Sequence, residues 1–113
     1  MRIEAFICAI NGLIAVFKTE RNFKYMTVGF IVTIAFSVIL KISRQDWIIV
    51  LLCSGAVLTA EIFNTVVENI VDFISPDYHL KAGMIKDMAA GAVLIISLIA
   101  LVIGLIIFIP YLL

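Results

Sequence analysis

Four polar side chains lie at helical spacing inside a long apolar stretch of this chain. They are Glu61, Asn64, Glu68 and Asp72, called the polar stripe below. At about 100° per residue, they fall within an arc of roughly 80° and extend over about 16 Å of one helix face. A carboxylate near the centre of a membrane helix costs about 2.5–3.5 kcal/mol, so such residues are rare and usually functional. We therefore expect the polar stripe to carry the chemistry of the protein.

Other segments place polar groups at the same predicted membrane level. They are Glu20-Arg21-Asn22, Asp77 with His79, and Lys86-Asp87. Two carboxylates from different helices can hold Mg²⁺, whose remaining positions are filled by water and phosphate oxygens. A lysine near a helix start neutralises phosphate charge, and a further carboxylate can orient a substrate hydroxyl. These are the parts that phosphoryl transfer needs, although the sequence has no GxxxxGK[ST] loop.

The composition predicts a membrane protein. The chain has 113 residues, of which 65% are hydrophobic and 14% charged, with no formal net charge. Soluble domains carry about 45–50% apolar and about 25% charged residues. The excess apolar surface is therefore expected to face lipid, and the neutral charge argues against nucleic acid as a partner.

Hydropathy divides the chain into a surface helix and three spans within one domain. Residues 1–19 combine an apolar face with polar positions opposite, which predicts an amphipathic helix in the membrane interface. Membrane spans are predicted at about 24–42, 47–72 and 86–112. Turn-forming residues predict a loop over 75–83. The expected fold class is an all-α integral membrane protein.

The basic residues predict how the chain is oriented. One side of the predicted membrane has Arg2, Lys18, Arg21, Lys24, Lys81 and Lys86, and the other has Lys41 and Arg44. Basic residues concentrate in cytoplasmic loops. The N-terminus, the predicted loop and the candidate chemistry are therefore expected on the cytoplasmic side, where ATP is available.

Two other function classes compete with an enzyme. Intramembrane carboxylates also mark ion pathways, so a small transporter or proton-pathway subunit is one alternative. A non-catalytic helix-packing protein is the other, with the glutamates as structural hydrogen-bonding residues. The carboxylates cluster toward one side, and the outer half of every predicted span is apolar. This asymmetry favours an enzyme that works on a membrane substrate at the cytoplasmic interface.

Several candidate residues also have ordinary structural explanations. Asp72 ends the second span, so a solvated helix-end charge is the alternative to a functional role. His79 is a lone histidine in a predicted loop, and Tyr78 beside it suits an interfacial anchor. The adjacent Glu20 and Arg21 fit a surface ion pair that contributes little to stability.

Three sequence strings resemble the prokaryotic diacylglycerol kinase and undecaprenol kinase family. They run from Glu20 to Phe23 (ERNF), from Ala60 to Glu68 (AEIFNTVVE) and from Lys86 to Leu94 (KDMAAGAVL). The Glu-x-x-Asn-x-x-x-Glu pattern followed by a Lys-Asp pair is specific to this family. The similarity covers nearly the whole chain.

The resemblance implies an ATP-dependent lipid kinase of the bacterial cytoplasmic membrane that uses Mg²⁺. It also implies a homotrimer whose active sites are shared between neighbouring subunits. In this family the position matching Glu61 is the proposed general base on the lipid hydroxyl, and those matching Glu20 and Glu68 bind the divalent cation. The positions expected to surround the nucleotide are Asn64, Asp77, Tyr78, His79, Lys86 and Asp87.

The sequence also departs from its relatives. Met26 stands where many members carry His or Glu, and Cys8 occupies the place of a nucleotide-contacting Tyr in the diacylglycerol-specific branch. The ERNF string and the short N-terminus are more similar to the branch that acts on undecaprenol. We expect undecaprenol as the substrate and undecaprenyl phosphate as the product. Diacylglycerol, which would give phosphatidic acid, is the alternative, since both lipids present a primary alcohol.

Overall fold

The computed structural model describes residues 2–113 as four consecutive helices. These are α1 (Ile3–Thr19), α2 (Arg21–Leu40), α3 (Arg44–Ile74) and α4 (Leu80–Leu112). The last three are each long and apolar enough to cross a membrane. At 1.5 Å per residue, α3 is about 46 Å long and α4 about 50 Å, whereas the hydrocarbon core is about 30 Å thick. The predicted all-α fold with three membrane-spanning helices is confirmed.

The junction between α3 and α4 is shorter than the predicted loop over 75–83. The ring Nδ1 of His79 accepts a hydrogen bond from the Lys81 backbone N–H at 3.1 Å. The His79 carbonyl accepts another from the Gly83 N–H at 3.0 Å. These contacts satisfy amides of the first turn, so α4 begins at Leu80. The loop prediction was therefore wrong for residues 80–83.

Glu20 forms the corner between α1 and α2. Its backbone is extended, and its N–H still donates to the Val16 carbonyl at 2.9 Å, which closes α1. Its own carbonyl accepts from the Lys24 N–H at 3.3 Å, which opens α2. The Lys24 ammonium lies 6.0 Å from the centroid of the Phe17 ring across this corner, within the range of a cation–π contact. The corner places Glu20 between α1 and α2.

The helices pack in chain order, with α3 against α4 as the main pair, α2 against α3, and α1 against α2. The buried apolar cluster lies at one end, where α3 begins and α4 ends. Its buried members are Ile42, Val50 and Ile107, and Leu40, Trp47, Ile103, Phe108 and Tyr111 pack around them. The polar stripe occupies the opposite half of α3. The two ends of the bundle therefore have different chemistry.

A tyrosine in the last turn of α4 holds this apolar end together. The Tyr111 hydroxyl donates to a carboxylate oxygen of Asp46 at 2.7 Å and accepts from the Ser43 N–H at 2.9 Å. Ser43 is also the N-cap of α3, because its hydroxyl accepts from the Asp46 N–H at 3.1 Å. One hydroxyl therefore connects the start of α3 with the end of α4.

An apolar cleft of about 610 Å³ lies between α2, α3 and α4. Its lining on α3 extends from Val50 to Leu58, and its lining on α4 extends as far as Leu112. Leu58 lies one helical turn before Glu61, so the cleft ends close to the polar stripe.

We expect Tyr111→Phe to lower the free energy of unfolding by about 1 kcal/mol, because Asp46 and the Ser43 N–H lose a shared partner. Thermal unfolding in detergent micelles measures this change. Tyr25→Phe is the matched control, since Tyr25 is exposed on α2. Equal destabilisation by both variants would show that the Tyr111 hydroxyl does not hold the helix ends together.

Candidate active site

Burial decreases along the polar stripe from the middle of α3 toward its end. Glu61 is 4% exposed and Asn64 is 9% exposed, although both are polar. Glu68 is half-buried and Asp72 is exposed. The stripe therefore joins the interior of the helix bundle to the water beyond the end of α3.

The Asn64 side chain has a defined orientation. Its Nδ2 donates to a carboxylate oxygen of Glu68 at 3.0 Å, one turn along the same face. Its Oδ1 is buried and accepts no hydrogen bond from any residue between 2 and 113. Buried polar atoms are nearly always satisfied, and the exceptions call for a specific explanation. An oxygen acceptor is therefore available beside Glu61 and Glu68.

The charged groups that act on the Glu61 carboxyl are Glu68 and Glu20. Glu68 lies two turns further along α3, and Glu20 comes from the corner between α1 and α2. Like charges in a region of low dielectric constant repel strongly, and a bound cation relieves that repulsion. The predicted base and one predicted cation ligand, Glu68, therefore share a face of α3, and the other, Glu20, lies at the corner between α1 and α2.

These oxygens fit a hard divalent cation. Within residues 2–113, no three Asp, Glu, His or Cys side chains come together closely enough to hold a metal ion. Mg²⁺ does not require such a cluster, because it commonly takes one or two carboxylates and completes its shell with water and phosphate. Glu20 and Glu68, with the unpaired Asn64 oxygen nearby, match that donor chemistry.

The structure brings Lys86 to the exposed end of the polar stripe. Its ammonium forms an ion pair with the Asp72 carboxylate, which connects α4 to α3. The next residue, Asp87, is exposed on the same turn of α4. The ammonium is thereby placed where an anion arriving from water first meets the stripe.

The remaining predicted nucleotide residues lie in the α3–α4 junction. Tyr78 is 88% exposed and Asp77 is exposed. His79 uses Nδ1 to cap α4. Among the residues described, none of the three hydrogen-bonds to the polar stripe. The junction therefore borders the stripe without closing over it.

Two positions, Cys8 and Met26, depart from the family pattern. Cys8 is an exposed free thiol on α1. Met26 is half-buried and lines the apolar cleft.

Sequence reasoning missed two features of this site. Thr65, the neighbour of Asn64, is only 3% exposed. The sequence indicated it only as one more polar residue in the apolar stretch. The pairing of Asp72 with Lys86 joins two helices, and helical spacing does not predict contacts between helices.

The site is an ordered series of functional groups along one helix face. A buried carboxylate lies deepest, a hydrogen-bonded carboxylate follows it, and an ammonium lies at the open end. A base, a cation ligand and a phosphate clamp are the groups that phosphoryl transfer uses.

Comparisons with known proteins agree with this chemistry. Residues 7–108 match the family model described as prokaryotic diacylglycerol kinase. Undecaprenol kinase of Bacillus subtilis is 34% identical over 107 residues, covering 95% of this chain and 87% of that protein. Diacylglycerol kinase of Synechocystis is 33% identical over 90% of this chain, which spans 59% of that relative. Diacylglycerol kinase of Escherichia coli K12 is 28% identical over 81% of this chain and 75% of its own length.

The family match decides between the function classes that the sequence left open. It covers most of the chain, including the whole polar stripe and the Lys86-Asp87 pair. The transporter and helix-packing alternatives are therefore set aside. The chain belongs to the prokaryotic diacylglycerol kinase family and is an ATP-dependent lipid kinase of the membrane.

Proposed function

We propose that this kinase transfers the γ-phosphate of Mg-ATP to the primary alcohol of undecaprenol, at the cytoplasmic face of the bacterial inner membrane. The observation that carries the proposal is the buried carboxylate of Glu61, which lies between the apolar cleft and the row of polar groups that ends at Lys86. A lipid alcohol and a water-soluble phosphate donor must meet at such a boundary.

Glu61 acts as the general base in this proposal. The substrate hydroxyl gives its proton to the Glu61 carboxylate while its oxygen attacks the γ-phosphorus. A new oxygen–phosphorus bond forms, the bond between the γ-phosphorus and the bridging β-oxygen breaks, and ADP leaves. The burial of Glu61 excludes water, which would otherwise compete with the lipid as the acceptor.

Glu20 and Glu68 would hold Mg²⁺ in this scheme. When bound, the cation neutralises charge on the β- and γ-phosphates. The Asn64 amide donates to Glu68 and so fixes the orientation of that carboxylate. A ligand held by a neighbouring hydrogen bond loses less freedom when it binds a cation.

The nucleotide is expected to lie over the α3–α4 junction. Lys86 contributes a positive charge for phosphate, and the exposed side chains of Asp77 and Tyr78 are free to contact the rest of the nucleotide. Asn64, His79 and Asp87 complete the proposed set around it. The junction side chains of Asp77, Tyr78 and His79 are all exposed and do not pack in the core.

The comparison with relatives supports undecaprenol over diacylglycerol. The Bacillus subtilis relative named undecaprenol kinase is 34% identical and is covered over 87% of its length, whereas the Escherichia coli diacylglycerol kinase is 28% identical and 75% covered.

We further infer that the protein assembles as a homotrimer with shared active sites. Large apolar side chains remain exposed along α2, α3 and α4, and such surfaces in a membrane contact either lipid or neighbouring helices.

The α1 helix buries no side chain against the rest of the chain, which agrees with a position in the membrane interface. The excess of basic residues near α1 and the α3–α4 junction supports a cytoplasmic location for the site.

The lipid preference can be measured with purified protein in mixed micelles containing Mg²⁺ and ATP. We expect undecaprenol to be phosphorylated at a kcat/KM at least tenfold above that for diacylglycerol. Equal lipid mole fractions and a lipid-free sample are the controls. A higher kcat/KM with diacylglycerol would reverse the substrate assignment while leaving the lipid kinase activity intact.

Glu61→Gln should lower kcat by about 10²–10⁴-fold, because the amide cannot accept the hydroxyl proton. Binding of a fluorescent ATP analogue should remain within about threefold of wild type, since Glu61 contacts the lipid alcohol rather than the nucleotide. Glu4→Gln is the matched control, because Glu4 is exposed in the first turn of α1. Near wild-type turnover of Glu61→Gln would remove Glu61 from the role of base.

Glu20→Gln and Glu68→Gln should each raise the Mg²⁺ concentration required for half-maximal activity by about tenfold, because an amide is a weaker ligand than a carboxylate. The measurement is the Mg²⁺ dependence of initial rates at saturating lipid. Direct Mn²⁺ binding followed by electron paramagnetic resonance gives a readout that does not depend on turnover. An unchanged metal dependence in both variants would place the cation at other ligands.

A further inference from the structure

The ion pair between Asp72 and Lys86 joins the candidate site to the packing of the two longest helices. Asp72 lies in the last turn of α3, and Lys86 lies in the second turn of α4. Over residues 2–113, it is the one ion pair in which charged side-chain atoms approach within 4 Å. The other basic side chains described have no carboxylate partner at that distance. Among the basic side chains described, Lys86 is therefore the one whose ammonium is paired with a carboxylate.

We propose that Asp72 is a positioning residue, which holds the Lys86 ammonium at the open end of the polar stripe so that it meets the transferring phosphate in the required place. This inference rests on the proposed role of Lys86 as a phosphate contact. Asp72 itself touches neither nucleotide nor lipid in this proposal.

The chemistry of lysine explains why such a residue is needed. Lysine ends in a compact charge on a flexible four-carbon stem, so its ammonium samples many positions unless a partner fixes it. The ammonium has three N–H donors and no acceptor. Asp72 engages one side of the ammonium, and donors remain for phosphate oxygens. The pair can therefore persist when the nucleotide binds.

The location of Asp72 determines where the ammonium is held. Asp72 lies four residues after Glu68 on the same helix face, a rise of about 6 Å. Without Asp72, the next carboxylate available to Lys86 along that face is Glu68, which already accepts from Asn64. Attraction of the ammonium toward Glu68 would disturb a proposed cation ligand. Asp72 therefore keeps the lysine and the cation site apart.

Exposure indicates that the pair contributes more to placement than to folding. The side chain of Asp72 is 60% exposed and that of Lys86 is 36% exposed. Ion pairs at such sites are screened by water and contribute little to stability. Positioning errors at a reacting phosphate, in contrast, have large effects on rate. Loss of Asp72 should therefore change turnover much more than it changes unfolding.

The test uses Asp72→Asn in the full-length protein, with kcat and KM measured by varying ATP at saturating lipid and Mg²⁺. We expect kcat to fall at least fivefold. The KM for ATP should rise by no more than twofold, because removing an acidic group beside the phosphates does not weaken their attraction to the site. Asp72→Glu retains the charge and should recover at least half of the wild-type kcat. The unfolding temperatures of both variants should stay near that of wild type.

A double-mutant cycle identifies the route by which Asp72 acts. In a Lys86→Gln background, adding Asp72→Asn should change kcat by less than twofold, because the residue to be positioned is gone. If Lys86→Gln is too slow to assay, the same cycle is measured as binding of a fluorescent ATP analogue. A fivefold or greater loss in both backgrounds would show that Asp72 acts independently of Lys86 and would overturn the proposal. A kcat for Asp72→Asn within twofold of wild type would also overturn it.

The failure of this inference can be distinguished from failure of the proposed function. Full activity of Lys86→Gln would refute the phosphate contact on which the inference depends, while the wild-type protein would still phosphorylate lipid. Absence of lipid phosphorylation by the wild-type protein would instead refute the proposed reaction itself.

Discussion

The cost of placing carboxylates in a membrane-spanning helix governs the arrangement of this protein. A polar group that faces hydrocarbon has no partner, so such groups must gather on a face turned toward other helices or toward water. The α3 helix meets this requirement by keeping Glu61, Asn64, Glu68 and Asp72 on one face, with the deepest residues the most buried. Each further member lies closer to the end of the helix and to solvent. The same gradient that makes the helix tolerable in a membrane also creates a path from water to a buried carboxylate.

The two ends of the helix pair have separate tasks. At the end without the polar stripe, the Tyr111 hydroxyl and the apolar cluster around Ile107 hold α3 and α4 together. At the other end, a short junction and one exposed ion pair connect them. Regions with few buried contacts open more readily than packed ones. A kinase that admits both a nucleotide and a lipid benefits from a bundle fixed at one end and accessible at the other.

The sequence predicted the features that depend on periodicity and composition. Three apolar stretches indicated three membrane-spanning helices, and the spacing from Glu61 to Asp72 placed the stripe on one face. The loop prediction failed at residues 80–83, because the capping role of His79 depends on the geometry of a single ring nitrogen. The orientation of the Asn64 side chain and the pairing of Asp72 with Lys86 could not be predicted from the sequence either. They depend on how side chains meet in three dimensions, which spacing along the chain does not encode. The match to the family supports the kinase chemistry.

The most direct test of the central claim follows the phosphorus atom itself. Purified protein in mixed micelles is supplied with undecaprenol, Mg²⁺ and ATP labelled with ³²P at either the γ- or the α-position, and the lipid fraction is counted after extraction. Transfer of the terminal phosphoryl group predicts label in the lipid from γ-labelled ATP and none from α-labelled ATP. Release of labelled inorganic phosphate with an unlabelled lipid fraction would contradict the claim, because water rather than the membrane alcohol would then be the acceptor beside Glu61.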